Sequence, residues 1–376
     1  MAVAIVAGAL ANKPGSGGEA WVRLSWILGL RRLGFDVFFV ERLAAGDEVG
    51  RRCFEAVAAE FGLEERSGLI DPEGEAYFGM SEATLAEVAA EAEVIFNISG
   101  HLGGGPILER PRHRAYIDLD PGFTQIWHAD PELAFEVAGH DSYVTVGLNI
   151  GSEGNPIPAG GIGWIPTFPP VVLDEWPAAP APQQQPTRFT TVATWRSPYG
   201  QVRIGDQLAG LKHHEFRRFL RLPEEVPEAI FELALDIHEG DAADREALLA
   251  HGWKLVSPRE AAGSPQAFRS YLQASGAEFS VAQGVYVEGR TGWFSDRTAA
   301  YLASGRPALV QETGIERLPA GEGLLTFSNS EEAAAGARRL AEDPARQAMA
   351  AREIAERHLD SDLVLGALLE RIGVEW

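Results

Sequence analysis

At residues 176–188 the sequence WPAAPAPQQQPTR places four prolines and three glutamines in a stretch with almost no apolar periodicity, the composition of an extended linker. It divides the chain nearly in half, and on both sides the same pattern runs: short apolar strands alternating with amphipathic helices. Before it, 2–7 reads as a buried strand. Residues 19–33 carry Trp21, Val22, Leu24, Trp26, Ile27, Leu28 and Leu30 at helical spacing, and 37–40 returns to strand. Strands follow at 94–98, 115–119 and 143–146, with helices near 51–61, 82–92 and 131–138. After the linker, strands are expected at 189–193, 231–237, 253–256, 278–282, 308–311 and 324–327. Helices fall between them at 215–220, 244–250 and 266–274, and three more close the chain at 331–340, 344–357 and 363–372. Such alternation demands parallel sheets covered on both faces. The expected fold is therefore α/β, with two Rossmann-like doubly wound domains facing a cleft. Residues 1–176 form the first domain, 177–188 the linker, 189–360 the second domain and 361–376 a final helix.

Composition narrows the function classes. A net charge of -22 repels nucleic acid and anionic lipid surfaces. One cysteine, Cys53, leaves no intrachain disulfide and no cysteine-rich metal site. No apolar run reaches membrane-spanning length, and the first residues lack the basic start and apolar run of a secretion signal, so the expected address is the cytoplasm. No metal is expected: His213 and His214 are adjacent and diverge on a helix, and the other histidines have no ligand spacing.

The segment 284–314, GVYVEGRTGWFSDRTAAYLASGRPALVQETG, reads as strand, loop, helix and strand. Val285–Val287 are strand-like, Ser295 can cap a helix, and Gly305 with Pro307 ends it. A helix amino end attracts anions, and Arg290, Ser295, Arg297 and Thr298 lie within a turn of it. A diphosphate would fit there. A capped crossover helix without a ligand is the plainer reading of the same residues.

Near the amino terminus, ANKPGSGGEAW follows the first strand and opens a helix, but Ala20 occupies the third glycine position of GxGxxG, which disfavours dinucleotide binding. No GxSxG elbow occurs, so serine-nucleophile chemistry has no support.

The stretch GWFSDR, YLASGRP and the turn QETG, with DLDPGFTQ and VGLNIG in the first half, resembles GT-B glycosyltransferases, and the likeness spans most of the chain. The resemblance implies that the second domain holds a nucleoside-diphosphate sugar, that the helix at 363–372 crosses back to the first domain, and that no separate cofactor is needed. It assigns the donor to Trp195 and Arg196 after the second domain's first strand, Lys212 at the next helix, and Arg290, Gly292, Ser295, Asp296, Arg297 and Thr298. Gln311, Glu312 and Thr313 would meet the sugar, and the bare backbone of Gly17 and Gly18 would close over the donor from the opposite wall. The paired glutamates of the retaining glycogen-synthase-like group are missing, since Asp296 and Ser304 stand at that spacing.

Transfer needs a base for the acceptor hydroxyl. The candidates are His101, exposed among glycines at a strand end, and Asp120, at the end of another strand before a Pro-Gly turn; Asp118 is a third. Histidine titrates near neutrality and a carboxylate needs burial to do so. The expected activity is metal-independent transfer to a small-molecule or saccharide acceptor. A nucleotide-sugar epimerase of the same fold and a non-catalytic sugar-nucleotide binder are the alternatives.

Overall fold

The computed structural model describes residues 1–133, 137–180 and 186–376. Part of the helix expected at 131–138, and 181–185 of the linker, lie outside the described residues.

The first sheet has eight strands: β1 (Val3–Ala7), β2 (Asp36–Arg42), β3 (Ser67–Ile70), β4 (Ala76–Gly79), β5 (Ala92–Ile98), β6 (His113–Asp118), β7 (Ser142–Thr145) and β8 (Trp164–Pro166). Their order is β4-β3-β2-β1-β5-β6-β7-β8, and every pairing is parallel except that of β3 with β4. Beyond β9 (Arg188–Thr194), a small hairpin of β10 (Arg203–Ile204) and β11 (Gln207–Leu208) precedes β12 (Ile230–Asp236), β13 (Lys254–Val256), β14 (Ala277–Ser280), β15 (Ala308–Gln311) and β16 (Leu324–Phe327). The second sheet runs β13-β12-β9-β14-β15-β16, wholly parallel. Central strands such as VAIVA of β1 are apolar throughout because helices cover both faces.

Reversal of strand order beside β1 and β9 leaves the carboxyl ends of both sheets as the places where loops diverge and a crevice opens. Sequence patterning found the central strands and missed β3, β4, β8 and the hairpin, all short elements, with β4 and β8 at the sheet edges. Of the helix expected at 131–138, the described residues 131–133 form a turn and 137–138 are not helical, and Val285–Val287, expected as strand, lie in the helix Gly284–Glu288. Two β-branched residues favour a strand locally, but the helix buries Val285 and Tyr286 among Phe123, Tyr199 and Trp293, and that packing overrides propensity.

The two halves are joined along a glycine-lined seam. A Cβ on Gly17 would stand 2.1 Å from the Ser264 carbonyl oxygen, and one on Gly18 2.9 Å from the Phe268 ring. On the far side, a Cβ on Gly292 would reach 2.9 Å from Leu148, and one on Gly314 2.5 Å from the Asn149 amide. At these points the glycine backbone of one domain meets backbone or side chain of the other, which only a missing side chain permits. Trp21 seals the first contact by donating its indole N–H to the Pro265 carbonyl at 2.8 Å, with its ring on Trp176 and Trp176 on Phe268. The last helix, Ser361–Ile372, packs on the helix Gly17–Arg32. Gly29 makes room for Leu365, and Arg32 pairs with Asp362 at 2.8 Å.

Candidate functional site

The helix Asp296–Ala303 starts at the carboxyl edge of β14 and β15, with Ser295 as its cap accepting from the Arg297 amide at 3.2 Å. Beneath this end lies a narrow crevice bounded by Ser280, Trp293, Ser295, Thr298 and Gln311. On the other side of Trp293 and Phe294, a second crevice opens toward the first domain, between Asp296 and the helix residues Val22, Ser25 and Trp26. The helix end therefore faces the interdomain space. The cavity there measures about 30 Å³, room for about two waters, so this crevice takes a larger ligand only if the halves part.

Around this end the charges of both domains converge. Lys212, at the start of the helix Lys212–Phe216, has its backbone N–H fixed to Gln283 Oε1 at 2.8 Å. Among the described residues its ammonium makes no ion pair. Burial first, and then the neighbouring Arg297 charge, bring its pKa down to about 8, while Asp120 and Asp296 act the other way. Asp296 retains solvent access but is crowded by both domains. Desolvation and the charge of Glu19 push its carboxyl up to about 6.

Glu19 belongs to the first domain, beside Arg23 one helical turn on. Burial would raise it, but Arg23 and Lys13 hold it below the usual range. Arg23 and Lys13 also act on His101: burial first, then these two cations, bring its imidazole down to about 4, so it is neutral at pH 7.

Asp120 is held from across the cleft. Tyr199 donates its hydroxyl to one carboxyl oxygen and Tyr286 to the other, each at 3.1 Å. Burial and the nearby Asp118 raise Asp120 to about 6, against the two tyrosine bonds. Asp118 itself is buried and fully occupied, accepting from Thr124, Gln125, Thr145 and the Asp120 amide. It is a structural carboxylate that shapes the β6 and β7 ends.

The candidates thus divide. Lys212, Ser295, Asp296 and Thr298 gather at the helix end, with Asp120 acting on Lys212 and Glu19 acting on both Asp296 and His101. Arg297 is there too but turned inward: Nε donates to Glu278 at 2.7 Å, and the two Nη groups donate to the Val192 carbonyl and Ser280 Oγ. It neutralises a carboxylate that is 0 % exposed, so its charge is already spent.

The remaining candidates have other partners in this structure. Trp195 is buried in the second core with its indole N–H on Asp244, and Arg196 forms a two-pronged pair with Asp241. Arg290 pairs with Glu316 at the exposed surface. Gly292 and Gly17–Gly18 face protein across the seam, leaving no approach for a phosphate at the positions their side chains would fill. Gln311 bridges the Ala282 amide and Glu215, and Thr313 ties its hydroxyl to the Trp293 carbonyl. Glu312 accepts from the amides of Gly314 and Ile315, a turn contact.

Reasoning from sequence missed Glu19, Arg23, Tyr199, Tyr286 and Glu278. Two had a readable signal, since Glu19 and Arg23 interrupt an otherwise apolar helix at the i,i+4 spacing of an ion pair. Glu278 in the buried strand AEFS called for a cationic partner.

No family model and no curated protein matches the sequence. Solved structures do match over the whole chain. Anabaena HepE, in complex with UDP and glucose, superposes with a TM-score of 0.61 at 12% identity, covering 99% of this chain and 100% of its own. AviGT4, a glycosyltransferase involved in avilamycin A biosynthesis, gives 0.60 at 14%, covering 99% and 97%. TarM gives 0.63 at 7%, with 99% of both chains covered. With two largely parallel sheets, a closing helix that returns to the first half and an interdomain crevice at the strand ends, the chain has the GT-B fold.

Proposed function

We propose that the protein is a glycosyltransferase that moves a sugar from a nucleoside-diphosphate donor to a hydroxyl-bearing acceptor. One observation carries the reading: the buried ammonium of Lys212, without an ion partner among the described residues, has charged groups of both domains around it, Asp296 and Arg297 at the start of the helix Asp296–Ala303 and Asp120 of the first domain. Fold likeness to proteins whose structures contain UDP or a UDP-sugar supports it.

In the transfer, the acceptor oxygen bonds to the anomeric carbon as the bond from that carbon to the diphosphate breaks, and the diphosphate leaves with the electron pair. Lys212 and the amides at the helix start stabilise the charge that builds on it. The cations present can do this without a metal ion, so chelation with EDTA is expected to leave the rate unchanged. The acceptor proton goes to Asp120, whose raised carboxyl is a stronger base than an ordinary aspartate yet ionised at neutral pH. His101, neutral but only weakly basic, is the second choice and suits a sugar-hydroxyl contact.

Calorimetry with UDP, TDP, GDP and ADP, followed by nucleotide-release assays with the matching sugar donors, tests the reading. Asp120→Asn is expected to keep nucleotide affinity and lose transfer. Nucleotide binding without turnover in the wild type, against a broad acceptor panel, would leave a binding protein instead.

A further inference from the structure

The crevice between Asp296 and the first domain has a composition that selects among acceptors. Its first-domain wall is made of Val22, Ser25 and Trp26 on one helix, Leu119 and Val146 just beyond β6 and β7, and the Pro169–Pro170 pair. Trp293, Phe294 and Asp296 face it from the second domain. On the first-domain side Ser25 alone carries a polar side-chain tip besides the indole of Trp26. Both residues are more than nine-tenths buried, and neither makes a side-chain hydrogen bond among the described residues. Asp296 stands at the other wall, adjoining Ser295 and the helix end.

Opening the halves to admit the donor would bare this apolar wall to water, at roughly 25 cal/mol for each Å² exposed. A ligand that restores the burial must itself be mostly apolar. A saccharide would bring a rim of hydroxyls against Leu119, Val146 and the two prolines, and each left unpaired costs about 1–3 kcal/mol. The two unpartnered groups, Ser25 Oγ and Trp26 Nε1, suit a body with one or two polar substituents. The carboxylate of Asp296 marks the end from which a hydroxyl would reach the donor.

Resting on the transferase reading, we propose that the acceptor is an apolar, ring-bearing alcohol or phenol rather than a saccharide. Its body lies between Trp26 and Trp293, and its hydroxyl points toward Asp296. Asp296 is a positioning residue that marks this end of the crevice, while the hydroxyl's single proton goes to Asp120, which with Asp296 flanks Lys212.

The test uses the full-length protein and two readouts. The first is binding of 4-methylumbelliferone, a fluorescent phenol, in the presence of UDP. The second is UDP release from UDP-sugars with planar phenols in one series and mono- and disaccharides in the other. Phenols are expected to accelerate release at least fivefold over donor hydrolysis, and saccharides not. Val22→Asp, at a half-buried position, is expected to raise the phenol Kd and KM at least tenfold while UDP affinity stays within twofold. Leu119→Asn provides a second, milder polar change with the same direction. If saccharides accelerate release and phenols do not, or if both variants bind the phenol as the wild type does, the inference is overturned. If the phenol binds in a manner sensitive to Val22→Asp but no donor turns over, the pocket stands and the transferase reading fails.

Discussion

At the scale of single residues, the decisive distinction is between charges already paired and charges left for a ligand. Arg297, Arg196 and Arg290 all looked like phosphate ligands by position. In the fold each has a carboxylate partner, while Lys212 has none among the described residues. Sequence shows where a cation lies along the chain but not which carboxylate the fold brings to it, and Glu278 and Glu316 come from other segments. Lys212→Ala should therefore weaken UDP binding ten- to hundredfold, in line with about 1.5–3 kcal/mol for a charged hydrogen bond. Since the ammonium titrates at about 8 without ligand, affinity should fall as pH rises above that value, and Lys212→Arg should flatten the profile. Arg297→Ala should act on stability instead: with Glu278 buried and unpaired, about 3–5 kcal/mol is lost in urea unfolding, and Glu278→Gln in the same chain recovers part of it.

Asp120 gives a pH prediction with a definite sign. Its folded pKa of about 6 lies above the ordinary value near 3.8, so ionising it costs stability as pH rises through that interval. Asp120→Asn should raise the melting temperature relative to the wild type above pH 6, with the gain disappearing below about pH 4. The acid limb of kcat/KM in the wild type should fall near pH 6. Replacing Tyr199 and Tyr286 by Phe removes bonds that favour the carboxylate, and should move that limb to higher pH.

Among elements, the long periodic strands and helices were legible because burial on both faces leaves an unbroken apolar record. Helix 284–288 was not, because its reason for being helical lies in Phe123 and Tyr199, residues distant in sequence. The glycines show the same limit. Gly17 and Gly18 looked like a phosphate loop, yet they are glycines because Ser264 and Phe268 of the other domain press on them. Gly17→Val should force the seam apart, detectable as a lower melting temperature and a larger radius of gyration in solution scattering. Gly292→Ala adds strain from a φ of 71° to its clash with Leu148 and should do the same.

Over the whole molecule, the net charge of -22 means that a dianionic nucleotide is drawn in only by a local field. Lys212, buried beside Asp296 and Arg297, supplies it, while Arg23 and Arg297 offset nearby carboxylates. Among the described residues no helix is long and apolar enough to cross a membrane. The close seam contacts and the small cavity lead to the expectation that binding is coupled to parting of the halves, which would separate Trp21 from Pro265 and Phe268.

A crystal structure with UDP bound bears on all of this at once. The diphosphate is expected at the start of the helix Asp296–Ala303, with a phosphate oxygen within hydrogen-bond distance of Lys212 Nζ and the domains farther apart than in the closed form. A nucleotide seated elsewhere, or a diphosphate that leaves Lys212 untouched, would contradict the account.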